Sequence, residues 1–130
     1  MANDSLSSER EKEILTEFMI LMDVKKVYLQ AGINLNLIAQ IINTNRQYLS
    51  QTLNKHFNMN FNLIINKRRI NDALILIKLD KCEKYTIESV ANAVGFNNRT
   101  SFIAAFKAES GMTPSQYRKE NCQSVKIDKS

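Results

Sequence analysis

The chain has 130 residues, of which 44% are hydrophobic, so it is long enough to bury an ordinary core without disulfides or a structural metal. Its 18 lysines and arginines outnumber its 13 aspartates and glutamates, and the net charge of +5 favours a polyanionic partner such as nucleic acid or an acidic membrane surface. Because charge reports only on non-specific association, the motifs must decide between these partners.

The cysteines and the apolar segments indicate where the protein works. Cys82 and Cys122 have neither a CxxC pairing nor a histidine at metal-ligand spacing, which favours reduced thiols, although a bond between them stays open. The apolar run at residues 18–22 is too short to span a bilayer, and its acidic flank is not that of a signal peptide. We therefore expect a cytoplasmic protein.

An all-α fold is predicted throughout. The chain has only three glycines and one proline, so it has few residues that favour hairpin turns, and its apolar residues recur at helical spacing. Ile14, Phe18 and Leu21 follow one another at steps of three and four. This spacing predicts an amphipathic helix over residues 9–23.

The next predicted helix, over residues 35–42, has two apolar sides. The side chain of Asn34 is placed to cap its first turn. Leu37 and Ile41 lie on the side that would not face the helix after the turn. We expect the N-terminal helix to pack on this side.

A sharp turn follows residue 42. Asn43 can end the helix, because asparagine tolerates the left-handed backbone region. The following helix begins either at a capping box formed by Thr44 and Gln47 or at Asn45 as the cap. Further along, the apolar spacing predicts a long helix over residues 61–79.

The second half of the chain repeats the first. The pattern of residues 33–39 returns at 85–91, an offset of 52, and the positions after the turn align at an offset of 53. Each copy predicts a capped helix, a turn at Asn43 or Gly95, and a second helix whose apolar side faces the first. This is the plan of a helix-turn-helix.

Capping residues also mark the helices of the second copy. Asn97 or Asn98 can cap the helix that follows Gly95, predicted over residues 99–110. Gly111 is placed to end that helix. A threonine and a proline at 113 and 114 then open a last helix.

The spacing of particular residues identifies a family. The relevant residues of the second half are Ile87, Val90, Ala91, Gly95, Phe96, Phe102, Phe106, Lys107, Gly111, Thr113, Pro114, Tyr117 and Arg118. Together they resemble the C-terminal signature of the AraC/XylS family of bacterial transcription regulators. The first half is similar at Ile38, Ala39, Tyr48, Leu49, Ser50, Leu53, Arg69, Ile70 and Ala73. The resemblance covers roughly residues 33–119.

The resemblance implies about seven helices forming two helix-turn-helix subdomains joined by the long connecting helix, with an extra N-terminal helix in this chain. Two recognition helices that enter one face of B-DNA would stand about one helical turn apart, ~34 Å. The expected organisation is an N-terminal extension (1–32), a first helix-turn-helix (33–60), a connecting helix and linker (61–84), a second helix-turn-helix with a closing helix (85–119), and a flexible tail (120–130).

The family's base-reading positions fall on the polar faces of the two recognition helices: Arg46, Gln47, Ser50, Gln51, Arg99, Thr100, Ser101 and Ala104. Gln can bond adenine and Arg guanine in the major groove, while Ala and a Thr methyl can pack on thymine. Ala104 stands where a long polar side chain would read a base, so we expect the second helix to read fewer bases. The candidates for phosphate contact are Lys55, Lys67, Arg68, Thr86, Lys107 and Thr113.

No motif indicates an enzyme, a catalytic residue, a cofactor or a metal, and His56 is expected at the surface. Arg69 suits a partly buried pair with Asp72 or Glu83. The expected partners are double-stranded DNA, RNA polymerase and an N-terminal sensor or receiver domain absent from this chain, with no membrane and with the protein a monomer or weak dimer. The alternative is an interaction module of the same fold that has lost DNA binding.

Overall fold

The structure, a computed structural model, describes residues 2–80 and 84–129. Within these ranges it has seven α-helices and no strand, so the all-α prediction is confirmed with the N-terminal helix as one of the seven. The helices are α1 (Ala2–Asp23), α2 (Leu35–Ile42), α3 (Arg46–Phe57), α4 (Phe61–Leu79), α5 (Ile87–Ala93), α6 (Arg99–Ser110) and α7 (Pro114–Lys129), with a 3₁₀ turn at Val27–Leu29. Cys82 and the side chain of Cys122 lie outside the described residues.

The helix bounds follow the capping residues. Asn34 and Thr86 each accept a hydrogen bond from the third residue beyond them, and α2 and α5 begin 52 residues apart. The starts of α3 and α6 differ by 53, as the repeat predicts. Asn43 ends α2 in the left-handed region with φ 67°, and Gly111 ends α6 with φ 83°. The backbone of α7 is helical through residue 129, where a tail was predicted.

The described chain divides into two compact units, whereas length alone suggests one. Unit 1 comprises Met1–Tyr28 and Gly32–Ile64, and unit 2 comprises Leu29–Ala31 and Ile65–Ser130. Each unit contains one pair of helices joined by a turn, namely α2 with α3 in unit 1 and α5 with α6 in unit 2. The repeat in the sequence therefore corresponds to one helix pair in each unit.

Unit 1 is built by α1 packing against both α2 and α3. Ile14 and Phe18 of α1 are fully buried, as are Leu49 and Leu53 of α3. The ring of Phe18 lies 6.2 Å from that of Phe57. Burial of side chains of this size stabilises a fold by about 1.5–3 kcal/mol each, so the N-terminal helix is an integral part of this core.

The expectation that α1 covers Leu37 and Ile41 is wrong. These side chains are 38% and 53% exposed. The buried residues of α2 are Ile38, Ala39 and Ile42. An eight-residue helix beside a single core can bury only one side, and the turn after α2 directs that side inward.

Unit 2 has a core in which aromatic rings predominate. Its buried members come from α4, α5, α6 and the turn before α6: Ile70, Ala73, Ile77, Val90, Ala91, Val94, Phe96, Phe102 and Phe106. Phe102 lies edge-on to Phe96 at 5.3 Å and to Phe106 at 5.7 Å, and Phe106 meets Tyr117 at 5.7 Å. Such tilted pairs add stabilisation beyond the area they bury. The rings hold α6 against the rest of unit 2.

Arg69 has a structural position, as expected, and it contacts two groups that the sequence did not indicate. It is 8% exposed, its Nη2 donates to the backbone oxygen of Gln30 at 2.9 Å, and its guanidinium lies 5.2 Å from the centre of the Phe96 ring. Burial lowers its pKa. Glu83, one of its two expected partners, lies outside the described residues.

Among the described helices, no stretch is long and apolar enough to cross a bilayer.

Candidate nucleic-acid interface

The helix α3 begins at a side-chain cap. Asn45 accepts a hydrogen bond of 2.8 Å from the backbone N–H of Tyr48, and its own backbone is extended. Of the two starts that the sequence left open, Asn45 is therefore the observed cap. This cap leaves the side chains of Arg46 and Gln47 at the first turn of the helix free to face solvent.

One side of α3 is polar and open to solvent, and the other is buried. Arg46, Gln47 and Gln51 are exposed, and Ser50 is half-buried beside them. The opposite side contributes Leu49 and Leu53 to the core. Amide and guanidinium groups on one helix face can make bidentate bonds with base edges in a major groove.

An open cleft of about 390 Å³ adjoins this face within unit 1. Arg46 and Ser50 line it from α3, together with the start of α2 and the start of α4. Asn60 caps α4 here by accepting a 2.8 Å hydrogen bond from the N–H of Leu63. The complete lining is Asn34, Leu35, Asn36, Arg46, Ser50, Asn60, Phe61 and Asn62. The cleft is thus surrounded by polar groups and helix starts, which favour anions.

The far end of α3 is held by a carboxylate from α1. The Nζ of Lys55 lies 3.2 Å from Oε2 of Glu11, and Nε2 of His56 lies 3.4 Å from the same oxygen. The hydrogen bond from Lys55, aided by His56, holds the pKa of the Glu11 carboxyl below its ordinary value, although burial raises it. His56 is exposed as expected. The sequence did not reveal Glu11, because its partners lie more than forty positions away.

Unit 2 presents the equivalent helix, α6. Asn98, rather than Asn97, caps it by accepting a 3.0 Å hydrogen bond from the N–H of Ser101. The side chains of Arg99, Thr100, Ser101 and Ala104 are exposed, so all four predicted base-reading residues lie at the surface. Phe102 and Phe106 on the other side are fully buried.

Two threonines predicted to contact phosphate act as helix caps. The hydroxyl oxygen of Thr86 accepts from the N–H of Ser89 at 3.0 Å, and that of Thr113 accepts from the N–H of Gln116 at 3.2 Å. A second hydrogen bond joins the same two residues, because the side-chain oxygen of Gln116 accepts from the Thr113 N–H at 2.9 Å. Both residues remain candidates through their exposed helix starts.

The basic candidates of unit 2 differ in their surroundings. Lys107 is exposed on α6, and Arg68 is half-buried on α4. The Nζ of Lys67 lies 2.7 Å from Oε1 of Glu109, so any phosphate would meet an existing ion pair there. Among these three, Lys107 is the side chain best placed to reach a phosphate.

No cluster of three or more potential metal ligands occurs among the residues that the structure describes.

Comparisons with known proteins agree with this architecture. A family profile described as "Helix-turn-helix domain" matches residues 38–120. The C-terminal domain of AraT, a response regulator from Geobacillus stearothermophilus, superposes with a TM-score of 0.67 at 24% identity, covering 88% of this chain and 84% of that one. A transcriptional regulator with an AraC-type DNA-binding domain from Chromobacterium violaceum gives a TM-score of 0.68 at 18% identity, covering 92% and 97%. These two likenesses show the fold.

Two curated relatives have similar sequences. The Msm operon regulatory protein of Streptococcus mutans is 31% identical over 117 residues, which is 88% of this chain and 41% of the relative. The raffinose operon transcriptional regulatory protein RafR of Pediococcus pentosaceus is 32% identical over 82 residues, 63% of this chain and 28% of the relative. The chain thus spans less than half the length of either relative. The fold and the family are those of DNA-binding transcription regulators and not of enzymes, and the chain belongs to the AraC-type helix-turn-helix domain family.

Proposed function

We propose that the chain reads double-stranded DNA in a sequence-specific way through two recognition helices, α3 and α6, which enter adjacent segments of the major groove. The proposal goes beyond DNA binding as such, which the family already establishes. The observation that carries it is the repetition of one arrangement, in which a capped helix buries one side and exposes a polar face, once in each unit.

The chemistry of the two faces supports unequal roles. Gln47 and Gln51 on α3 can each bond an adenine edge, and Arg46 can bond guanine. On α6, Arg99 is the one long side chain among the four predicted base contacts, and Ala104 offers only a methyl. We infer that unit 1 reads more bases than unit 2, and that Lys107 and the starts of α5 and α7 contact phosphates without reading sequence.

A selection from random duplexes tests the proposal, followed by affinity measurements on the enriched site. Gln47→Ala should lower the affinity for that site by about 1–3 kcal/mol and relax the base preference in one block. Arg99→Ala should relax the preference in the other block. Gln40→Ala is the matched control for Gln47→Ala, because it removes a glutamine from an exposed position outside both faces. Lys78→Ala is the matched control for Arg99→Ala, because it removes a positive charge from such a position.

The alternative of an interaction module makes a different prediction. It would give no enriched sequence and no difference between Gln47→Ala and Gln40→Ala. A steep loss of affinity with added salt would mark phosphate contact in either unit, because bound cations displace counterions from DNA.

The remaining partners are also proposals. Both curated relatives are regulators longer than this chain. A sensor or receiver domain and RNA polymerase are accordingly proposed as partners of the regulator in which this domain works, in the cytoplasm where bacterial DNA lies. Pull-down of RNA polymerase on DNA carrying the selected site, with and without the chain, tests the second partner.

A further inference from the structure

Lys55 continues the recognition face of α3. It lies one helical turn beyond Gln51, which itself lies one turn beyond Gln47, so the three side chains follow one ridge of the helix. The Lys55 side chain is 66% exposed and can reach a neighbouring phosphate. It is nevertheless already engaged by Glu11 of α1, whose side chain is only 16% exposed.

We propose that Glu11 competes with DNA phosphate for the end of α3, where Lys55 and its neighbour His56 lie, and thereby limits the sequence-independent affinity of unit 1. This inference rests on the proposed function of α3. The carboxylate makes contacts of 3.2 and 3.4 Å with these two residues, so a single anion of the protein occupies the place that a phosphate oxygen would take.

The competition follows from charge and geometry. A phosphate that binds Lys55 must either displace the carboxylate or lie close to it, and both outcomes weaken the contact. A lysine that already holds a carboxylate also displaces less of the counterion atmosphere of DNA. Phosphates carry no base information, so the effect is equal for every sequence.

Glu11 is not needed to attach α1. Ile14 and Phe18 are fully buried in the core of unit 1, and Arg10 bonds the backbone oxygens of Ile42 and Asn43. The ion pair with the largely exposed Lys55 contributes little to stability by comparison. Neutralising Glu11 therefore changes the charge beside α3 while the helix stays in place.

The test measures binding of the full chain to a mixed-sequence duplex by fluorescence anisotropy over a range of salt concentrations. Glu11→Gln should bind about two- to fivefold more tightly at low salt. The slope of log affinity against log salt should steepen by up to about 0.9, the value for one further phosphate contact. Glu11→Asp keeps the charge but withdraws the carboxylate by one methylene. It should therefore show part of the increase in DNA affinity expected of Glu11→Gln.

Two comparisons separate competition from a general effect of charge. Glu17→Gln makes the same charge change at an exposed position of the same helix and should give a clearly smaller gain. In a Lys55→Gln, His56→Gln background, Glu11→Gln should give no gain beyond that of Glu17→Gln. Equal gains in both backgrounds, or no gain from either Glu11 variant, would overturn the inference.

The two proposals fail in distinguishable ways. If the unaltered chain shows no salt-dependent binding to any duplex, the proposed function itself is wrong. If the chain binds DNA but Glu11→Gln binds no more tightly than Glu17→Gln, only the inference about Glu11 is wrong.

Discussion

The guanidinium of Arg10 donates a 2.9 Å hydrogen bond to the backbone oxygen of Asn43, at the turn between α2 and α3. The same Nη2 atom donates to the oxygen of Ile42 at 3.2 Å, and Nη1 lies 3.0 Å from a carboxylate oxygen of Glu13. The last carbonyls of a helix have the negative end of its dipole, so a cation is favoured there. Arg10 thus connects α1 to the turn that sets the start of α3.

Loss of this contact should destabilise unit 1. Arg10→Ala is expected to lower the free energy of unfolding by about 1.5 kcal/mol, at the lower end for charged donors because the side chain is 32% exposed. Urea unfolding followed by circular dichroism measures the change. Lys12→Ala, at an exposed position of the same helix, is the control and should leave stability unaltered. Equal midpoints for the two variants would refute a structural role for Arg10.

The contact of Glu11 should appear as a pH dependence. The pKa of its carboxyl is lowered in the folded chain, chiefly by the hydrogen bond from Lys55, so its contribution is present above the ordinary pKa of the unfolded chain and is lost as the pH falls through the lower folded value. Melting curves of the unaltered chain and Glu11→Gln should therefore differ by a small amount at neutral pH and converge in acid. A difference that persists unchanged at the lowest pH would contradict this assignment.

Thr52 gives a prediction of the opposite sign. Its side chain is 1% exposed, and its Oγ1 has no hydrogen-bond partner among the described residues. A buried hydroxyl without a partner is destabilising, and valine has nearly the same shape. Thr52→Val should raise the free energy of unfolding by about 1 kcal/mol, whereas Thr16→Val, on an exposed position of α1, should change it little. A loss of stability in Thr52→Val would indicate that the hydroxyl is bonded after all.

The aromatic core of unit 2 should be sensitive to truncation. Phe102 meets both Phe96 and Phe106, so Phe102→Ala should cost about 3–5 kcal/mol and unfold unit 2 at ordinary temperatures. Tyr85→Ala removes a ring that is half exposed and should have a small effect. Thermal unfolding of the two variants checks this, and a similar melting temperature for both would argue against the packing described.

Local signals predicted much of this fold. The bounds of α2, α4 and α6 follow from apolar spacing and from caps such as Asn34, all of which lie within a few residues of what they affect. The same spacing predicted which faces of α3 and α6 are buried and which are exposed, whereas the base-reading positions on the exposed faces rest on the resemblance to the family. The sequence left open whether Thr44 or Asn45 caps α3 and whether Asn97 or Asn98 caps α6. Neighbouring side chains compete for the same N–H groups, and only the backbone conformation decides between them.

The features that the sequence did not reveal involve distant partners. Arg10 meets its acceptors 32 and 33 positions away, and Glu11 meets Lys55 at 44. The spacing of apolar residues shows which side of α1 is apolar, but it does not show which polar residues of α1 lie beside α2 and α3. The exposed Leu37 and Ile41 were misjudged for a related reason, since an apolar stripe does not state whether a neighbour is available to cover it.

The most direct test of the central claim is a footprint on the selected duplex, measured by protection of guanine N7 in the major groove. Two recognition helices predict two protected blocks centred about 10 base pairs apart, with Gln47→Ala weakening one and Arg99→Ala the other. One protected block that responds to a single variant, or no protection of guanine N7 at all, would contradict reading by both α3 and α6.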